Sequence, residues 1–310
     1  MTDGSSRVFP PPPPRESLIR GAIDFHVHSA PDVFDRCADD VTIAAIAVQK
    51  QMGGLVLKNH VAETASRAYL LRRHFPGLEV FGGIALNGAV GGLNPQAVQW
   101  MARIQGQYGR VVWLPSMDAD RHVRFFKEPR EGIRVVEGGR PVPAVLEIMR
   151  ICADLDLVLQ TGHASADEVM VLAEAASRIG FRKLLVTHAL FAVVDMSIDQ
   201  MREAAKLGAT FELASLGTFM GPGAHIAWMS HWKRVTPEDN AKAIKAVGAE
   251  HFVLATDLGQ VGNPSHPDGY QFFVQQLLAA GVTREEIDLM ARVTPGRLLG
   301  LAPSHSGERT

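Results

Sequence analysis

The sequence predicts a single-domain (β/α)8 TIM barrel. Short apolar runs alternate with segments whose apolar residues recur at helical spacing, and eight such pairs follow one another along the 310-residue chain. The runs are continuously apolar, which is typical of parallel strands covered on both faces. Glycine and proline mark the joints between them. An open doubly wound sheet is the alternative, but eight units in about this length favour the closed barrel.

Each predicted strand is followed by a predicted helix. The strands cover residues 22–27, 54–57, 79–84, 111–114, 157–160, 184–187, 210–213 and 252–255. The helices cover residues 41–51, 62–74, 95–105, 142–154, 166–179, 198–207, 237–247 and 270–280.

The barrel is predicted to occupy residues 21–302. Residues 1–20 form a flexible proline-rich arm that contains Pro10–Pro14, with a partner-binding polyproline segment as an alternative, and residues 303–310 form a C-terminal tail. Met1 to Arg15 lacks the apolar core of a secretory signal. Two cysteines cannot form a disulfide framework, so we expect a cytoplasmic protein.

Charge and hydropathy exclude several classes of partner. The net charge is −2, which gives no footprint for nucleic acid. No apolar run approaches the length of a membrane span. The expected partner is a small-molecule substrate, and assembly into a homo-oligomer stays open.

Two connections are too long to be plain loops. Residues 116–141 follow the fourth strand and include a predicted hairpin at 132–140 around Gly138-Gly139. Residues 215–236 follow the seventh strand and are rich in aromatic residues and methionine. We expect the second connection to form a wall of the active site, with packing against a partner subunit as the alternative. Its candidate substrate contacts are Phe219, His225, Trp228 and His231.

Polar residues close several of the strands at their carboxyl ends. In a barrel these ends converge on one face, where active sites lie. His26 and His28 are two residues apart on a strand, so their imidazoles point to the same side, as metal ligands must. The complete set is His26 and His28 on the first strand, Lys58 and His60 after the second, His163 after the fifth, His188 after the sixth and Asp257 after the eighth.

This set resembles that of the amidohydrolase superfamily of metal-dependent hydrolases. The resemblance rests on His26-Val27-His28, His163, His188 and Asp257 at the matching strand ends. The segment 294–300, Thr-Pro-Gly-Arg-Leu-Leu-Gly, is also similar to the Asn-Pro-Ala-x-Leu-Leu-Gly sequence that closes many members. The match spans residues 22–301 and is specific to the superfamily, not to a substrate.

The resemblance implies the metal ligands. His26, His28 and Asp257 would bind the more buried divalent ion, and His163 and His188 a second, more exposed one. Zinc is expected from these nitrogen and oxygen donors, while Mn, Fe or Ni stay open. One ion or two is also open.

The fourth strand departs from the superfamily. Dinuclear members often carry a bridging carboxylated lysine there, but residues 111–116 contain no lysine or glutamate, and Asp118 is the nearest acid. Lys58 is the only lysine at a predicted strand end. It has three interpretations: a carboxylated bridge between two metals, a cationic clamp for a substrate anion, or a structural partner of an acid at the barrel rim.

The resulting functional hypothesis is a metal-dependent hydrolase of a small-molecule amide, lactone or ester, or phosphoester. A metal-activated water would attack, Asp257 would act as the general base, and His188 or His60 would stabilise the oxyanion. Arg124, Arg130 and Arg134 could contact a substrate anion. The alternatives are a single-metal decarboxylase or hydratase of the same superfamily, or a degenerate barrel without catalysis.

Overall fold

Eight parallel strands form the barrel that the sequence predicts. A computed structural model describes residues 17–302. Its strands are β1 (Ile23–Val27), β2 (Gly54–Leu57), β3 (Glu79–Ala85), β4 (Gly109–Trp113), β5 (Val136–Glu137), β6 (Arg140–Pro141), β7 (Val158–Gln160), β8 (Leu184–Val186), β9 (Thr210–Ala214) and β10 (Phe252–Ala255). The barrel order is β1-β2-β3-β4-β7-β8-β9-β10, and β5 and β6 form a separate antiparallel pair.

The first and last barrel strands lie side by side. The backbone N–H of His28 donates to Leu258 O at 3.1 Å, and that of Asp257 donates to His26 O at 2.9 Å. A parallel bridge also joins Val27 to Leu258. The sheet therefore curls into a nearly closed barrel, and the alternative of an open sheet is wrong.

Helices follow the strands and cover the outside of the barrel. Several begin at side-chain caps: Ser165 and Thr236, for example, each accept a hydrogen bond from a backbone N–H in the first turn. The helices are α1 (Asp40–Gln49), α2 (Ala65–His74), α3 (Pro95–Arg103), α4 (Asp120–Phe125), α5 (Pro143–Asp154), α6 (Ala166–Arg178), α7 (Ile198–Lys206), α8 (Leu216–Phe219), α9 (Pro237–Val247), α10 (His266–Ala279), α11 (Arg284–Asp288) and α12 (Thr294–Leu299).

Two differences from the predicted helices have local causes. The last of the eight predicted helices begins at His266 instead of residue 270, because Ser265 caps it and Pro267 fits its first turn. The short helix α4 lies inside the long connection 116–141, where the sequence predicts only the hairpin. That hairpin is confirmed by β5 and β6.

The core has two layers. Side chains on the outer face of the strands, such as Leu55 and Leu57, pack against the helices. A second apolar cluster includes Val111 and Trp113 of β4 together with Leu298 and Leu299 of α12. Because side chains alternate along a strand, this second cluster fills the interior of the barrel below its functional face.

The ends of the described chain border the predicted arm and tail. Residues 1–16 and 303–310, with Pro10–Pro14 among them, lie outside the described residues. Residues 17–20 form a turn in which Ile19 is fully buried. Between residues 17 and 302, none of the helices combines the length and the apolarity needed to cross a membrane.

A buried carboxyl group reinforces the junction of β1 and β10. Asp24 Oδ1 accepts a hydrogen bond from Thr256 N at 2.8 Å, and Asp24 Oδ2 accepts one from Thr256 Oγ1 at 2.6 Å. Burial raises the pKa of the Asp24 carboxyl to about 7. The Thr256 hydroxyl is therefore a main hydrogen-bond partner of the Asp24 carboxyl group, whose charged form is poorly solvated.

We expect Thr256→Val to lower the free energy of unfolding by about 1.5–3 kcal/mol above pH 7, since a charged acceptor loses its hydroxyl donor. Urea unfolding measures the loss. Thr187→Val is the matched control, because its hydroxyl is equally buried but donates to the neutral Gln160 Oε1 at 3.0 Å. Equal losses in the two variants would contradict the assigned role of Asp24.

Candidate metal centre and cavity

His26, His28 and Asp257 meet at one point. The two Nε2 atoms lie 3.2 Å apart, and Asp257 Oδ1 lies 3.1 Å from His26 Nε2 and 3.2 Å from His28 Nε2. All three residues are buried. Among residues 17–302 they are the one group of three histidine, cysteine or acidic side chains close enough to hold an ion together. We call them the ligand cluster.

The backbone adopts a rare conformation at two of the predicted ligands. Asp257 has φ +53° and His188 has φ +27°, backbone angles that residues other than glycine seldom adopt. Each lies just after its strand, β10 or β8. Such strain persists only where the surrounding structure enforces it, and it concentrates at functional sites.

Glu212 on β9 contacts the ring nitrogen of His26 that does not face the cluster. Its Oε1 lies 2.9 Å from His26 Nδ1 and accepts the backbone N–H of His188 at 3.3 Å. The contact holds the His26 ring with Nδ1 toward Glu212 and leaves Nε2 directed at the cluster, as a metal ligand requires. Burial and the nearby charge of Asp257 raise the Glu212 pKa to about 8. Sequence reasoning missed this residue, although an acid inside the apolar run 210–213 was a signal.

His163 and His188 form a neighbouring pair. Their Nε2 atoms lie 3.2 Å apart, and the His188 ring lies 6.2 Å from that of His26 between centroids. Gly162 precedes His163 with φ +59°, and a side chain there would collide with Leu114 O and Pro115 O. His188 Nδ1 is buried without a hydrogen-bond partner among the described residues. The structure thus brings the four predicted histidine ligands into one region.

The imidazoles of the site favour the neutral form. Burial lowers the pKa of His26 and of His188 to about 3. Burial also lowers the pKa values of His28 and His163 well below their ordinary value. A neutral imidazole has the free lone pair that a metal requires, so the site is suited to a cation.

Lys58 lies buried beside the cluster, only 1% exposed. Its Nζ is 5.5 Å from the centre of the Trp113 ring. No acid among the described residues lies within 4.0 Å of Nζ, so the interpretation as a structural ion pair finds no partner there. Burial lowers the pKa of the Lys58 amine, while Asp257 and Glu212 oppose that change. Both the bridge and the clamp remain compatible with this position.

His60 lines the cavity next to His28. The two rings stack with their centroids 4.8 Å apart, and His60 Nδ1 lies 3.1 Å from Ser116 Oγ. Asn87 fixes this arrangement, because its Nδ2 donates to His60 O at 3.0 Å and its Oδ1 accepts from Ser116 N at 3.0 Å. Burial lowers the pKa of His60 well below its ordinary value.

A cavity of about 620 Å³ opens above the cluster. Its polar floor contains His28, Lys58, His60 and Asp257. Its walls are mostly apolar and come from five connections, those that follow β1, β4, β8, β9 and β10. The apolar lining is formed by Phe34, Met117, Phe126, Phe191, Leu216, Met220, Ile226, Trp228, Trp232 and Val261. The connection 215–236 therefore lies on the functional face and contributes to the wall.

The structure does not bring three of the predicted substrate contacts to the cavity. Phe219 is the last residue of α8, and its ring centroid lies 6.2 Å from that of Phe272 on α10. Leu216 at the start of α8 lines the cavity instead. His225 lies near Gly262, and His231 is exposed. Neither belongs to the lining. Only Trp228 of this group reaches it.

The candidate anion-binding arginines are occupied elsewhere. Arg124 pairs with Asp120 at 2.8 Å, Arg130 with Asp118 at 2.6 Å, and Arg134 with Glu137 at 3.0 Å. None of the three arginines lines the cavity. Because Asp118 is engaged with Arg130, it does not replace the bridging residue that the fourth strand lacks.

Two further residues of the site, besides Glu212, were missed by sequence reasoning. His122 on α4 lies with its Nδ1 2.7 Å from His163 Nδ1, and burial lowers its pKa. Arg36 lines the cavity with Nη2 2.7 Å from Asp32 Oδ2 and 3.4 Å from His28 Nδ1. Both belong to connections whose path the strand pattern does not define.

Solved structures that share this fold are amidohydrolase-type proteins. An amidohydrolase from Burkholderia multivorans with bound zinc is 14% identical and has a TM-score of 0.58, over 91% of this chain and 99% of that one. A structure from the engineering of organophosphate hydrolysis on a promiscuous lactonase template is 14% identical with a TM-score of 0.60, over 92% and 97%. A 2,6-dihydroxybenzoate decarboxylase is 11% identical with a TM-score of 0.55, over 91% and 100%.

These likenesses confirm the predicted resemblance to the amidohydrolase superfamily at the level of the fold. By sequence, residues 21–212 match the model of DUF6282, a family of unknown function, and the chain belongs to that family. No curated protein matches the sequence significantly.

His26→Ala should abolish tight metal binding while the barrel stays folded, since it removes a ligand at the centre of the cluster. We expect the affinity for Zn²⁺ to fall by more than about 100-fold, beyond the 10–100-fold typical of losing a residue that only orients a ligand. Metal analysis after dialysis measures this, and circular dichroism checks the fold. His231→Ala, an exposed histidine outside the cavity, is the control. Unchanged zinc content in His26→Ala would refute the assignment.

Proposed function

We propose that this protein is a metal-dependent hydrolase of small molecules that contain an amide, lactone or ester, or phosphoester bond. One observation carries the proposal: the side chains of His26, His28 and Asp257 converge at the floor of a cavity on the functional face of the barrel. The zinc-containing amidohydrolase of the same fold supports it.

The donor set fits a divalent metal. Two neutral imidazole nitrogens and one carboxylate oxygen are ligands that zinc accepts, with Mn, Fe and Ni as alternatives. Glu212 fixes the His26 ring with Nε2 toward the cluster, as required of a ligand. When bound, the ion would act as a Lewis acid that polarises the scissile group and acidifies water.

Asp257 is the proposed general base. Its Oδ1 contacts both histidines of the cluster, and the residue also faces the cavity. A carboxylate has two oxygens, so Asp257 can hold its position through one and receive the proton of the attacking water on the other. The same group would then return the proton to the leaving group.

His60 or His188 is the proposed stabiliser of the oxyanion. Both line the cavity, and burial favours the neutral form of each, which can donate one N–H. His188 is braced by Phe191, whose ring is stacked at 4.4 Å. A donor held in place before the reaction stabilises developing charge without reorganisation.

The cavity walls support a substrate with an apolar or aromatic body. Trp232 packs on Phe126 with centroids 5.0 Å apart and lies near Trp228 at 6.4 Å. Trp228 is 45% exposed, so it stands at the rim, where an entering molecule would meet it. This arrangement supports a substrate-binding role for Trp228 within the connection 215–236.

A single-metal decarboxylase or hydratase is the second candidate. Trp113 occupies the end of β4, where dinuclear superfamily members would carry the bridging residue. Its ring centre lies 5.5 Å from Lys58 Nζ and 6.2 Å from the ring centre of His26. The 2,6-dihydroxybenzoate decarboxylase of the same fold supports this second candidate.

The test is a screen of zinc- and manganese-loaded protein against lactones, esters, amides and phosphoesters, with aromatic carboxylates assayed for release of carbon dioxide. We expect hydrolysis in at least one class and a loss of about 10²–10⁴-fold in kcat for Asp257→Asn. Asp35→Asn, which changes an acid of the cavity lining outside the cluster, is the matched control. Release of carbon dioxide without hydrolysis would replace this proposal by the second candidate.

For Lys58 we propose carboxylation, with the carbamate bridging two ions. Burial favours its neutral amine, which reacts with carbon dioxide, and no acid within 4.0 Å pairs with it in the described chain. Lys58→Ala should then bind one metal ion fewer, and a short-chain carboxylate should partly restore turnover.

A cationic clamp would behave differently. Lys58→Ala would keep its metal and mainly show a raised KM, because binding of ground state and transition state would weaken together. Metal stoichiometry and the mass of the native protein distinguish the two. Lys183→Ala serves as a control, since it removes a partly buried lysine that pairs with Asp156 outside the cavity lining.

A further inference from the structure

We infer that His122, backed by Glu128, is a positioning residue that prepares His163 and His188 to bind the second, more exposed cation. The inference rests on the proposed metal-dependent function and goes beyond it by assigning a role to the connection 116–141. His122 comes from α4, not from a barrel strand, and occupies the edge of the cavity.

The contact between the two histidines is short and specific. His122 Nδ1 lies 2.7 Å from His163 Nδ1, and the rings stack with centroids 4.8 Å apart. Phe126, which directly follows α4, restrains the His122 ring, with the ring centroids 4.6 Å apart. A separation of 2.7 Å between two nitrogens requires a hydrogen bond, so one of the two Nδ1 atoms carries the proton.

Glu128 favours one of these two positions for the proton. Its Oε1 faces His122 Nε2 at 3.5 Å, and a carboxylate can only accept. A neutral imidazole has one proton, and a proton on His122 Nε2 would face this carboxylate, so the inference assigns the acceptor role to His122 Nδ1. His163 must then donate from Nδ1, which leaves the lone pair of its Nε2 free.

That lone pair points at His188. The two Nε2 atoms are 3.2 Å apart, a separation that either a proton of His188 or a shared cation would satisfy. His188 Nδ1 is buried and unpartnered in the described chain. With the Nε2 atoms of both rings directed at one point, the pair has the orientation of two metal ligands.

The support for His122 is anchored in the same connection. Arg130 holds the other oxygen of Glu128, with Nε 2.7 Å from Oε2, and also donates to Met117 O at 2.7 Å. Asp118 accepts from Arg130 and from Gly88 N, which ties the connection to the segment after β3. The chain of contacts therefore runs from the surface to His163 and supports the tautomer inferred for it.

The experiment compares the binding of Co²⁺, used as a spectroscopic probe, by the intact chain and by variants. The wild-type chain should bind two ions. His122→Phe should weaken the second by about 10–100-fold, as measured by competition with a chelator, and should leave the first unchanged. The absorption band of the second ion should disappear at equal cobalt concentration.

Rescue separates positioning from general packing. His122→Asn keeps an acceptor oxygen near the position of Nδ1 and should recover most of the affinity that His122→Phe loses. Glu128→Ala, at a half-buried position, should cause a smaller loss, and it keeps the test falsifiable if His122→Phe fails to fold. Arg124→Gln on the exposed side of α4 is the control and should bind like the wild type.

Two results would overturn the inference: a wild-type chain that binds one ion only, or His122 and Glu128 variants that bind the second ion with wild-type affinity. The proposed function fails in a different way, through absence of hydrolysis in a fully loaded protein. Because the readout here is cobalt binding, the two failures are distinguishable.

Discussion

The hydrogen bonds that join β1 to β10 assemble the ligand cluster. The backbone bond from Asp257 N to His26 O places a carboxylate of the last barrel strand beside an imidazole of the first. Asp24 and Thr256 reinforce the same junction one layer deeper. Residues more than two hundred positions apart in sequence thus become ligands of one centre, and loss of this junction would separate them.

Burial controls the electrostatics of the site. It keeps the imidazoles neutral, raises the pKa of Glu212 to about 8 and lowers that of Lys58. Each of these groups is costly to bury in its charged form, and the cost is offset only by partners. Glu212 has His26 as such a partner, whereas no acid of the described chain lies within 4.0 Å of Lys58 Nζ. This imbalance is the reason for the proposal that Lys58 is carboxylated.

The connections supply what the strands do not. The strand ends provide metal-type donors, but the apolar walls come from the segments that follow β1, β4, β8, β9 and β10. His122, which contacts His163, lies in the segment after β4. This division of roles is expected of a barrel, in which rigid strands position the catalytic groups and the loops determine which substrate fits. The chemistry of the floor and the choice of substrate can therefore change independently.

The sequence alone determined the barrel and the candidate ligands, because both follow from local pattern. Strands 54–57 and 252–255 have the predicted bounds, and the spacing of His26 and His28 fixed their common direction. Only the tertiary structure decided that Glu212 contacts His26, that His122 contacts His163 and that Phe219 faces α10 instead of the cavity. These outcomes depend on which side of a helix or loop meets the site, and on contacts between distant residues, which periodicity along the chain does not encode.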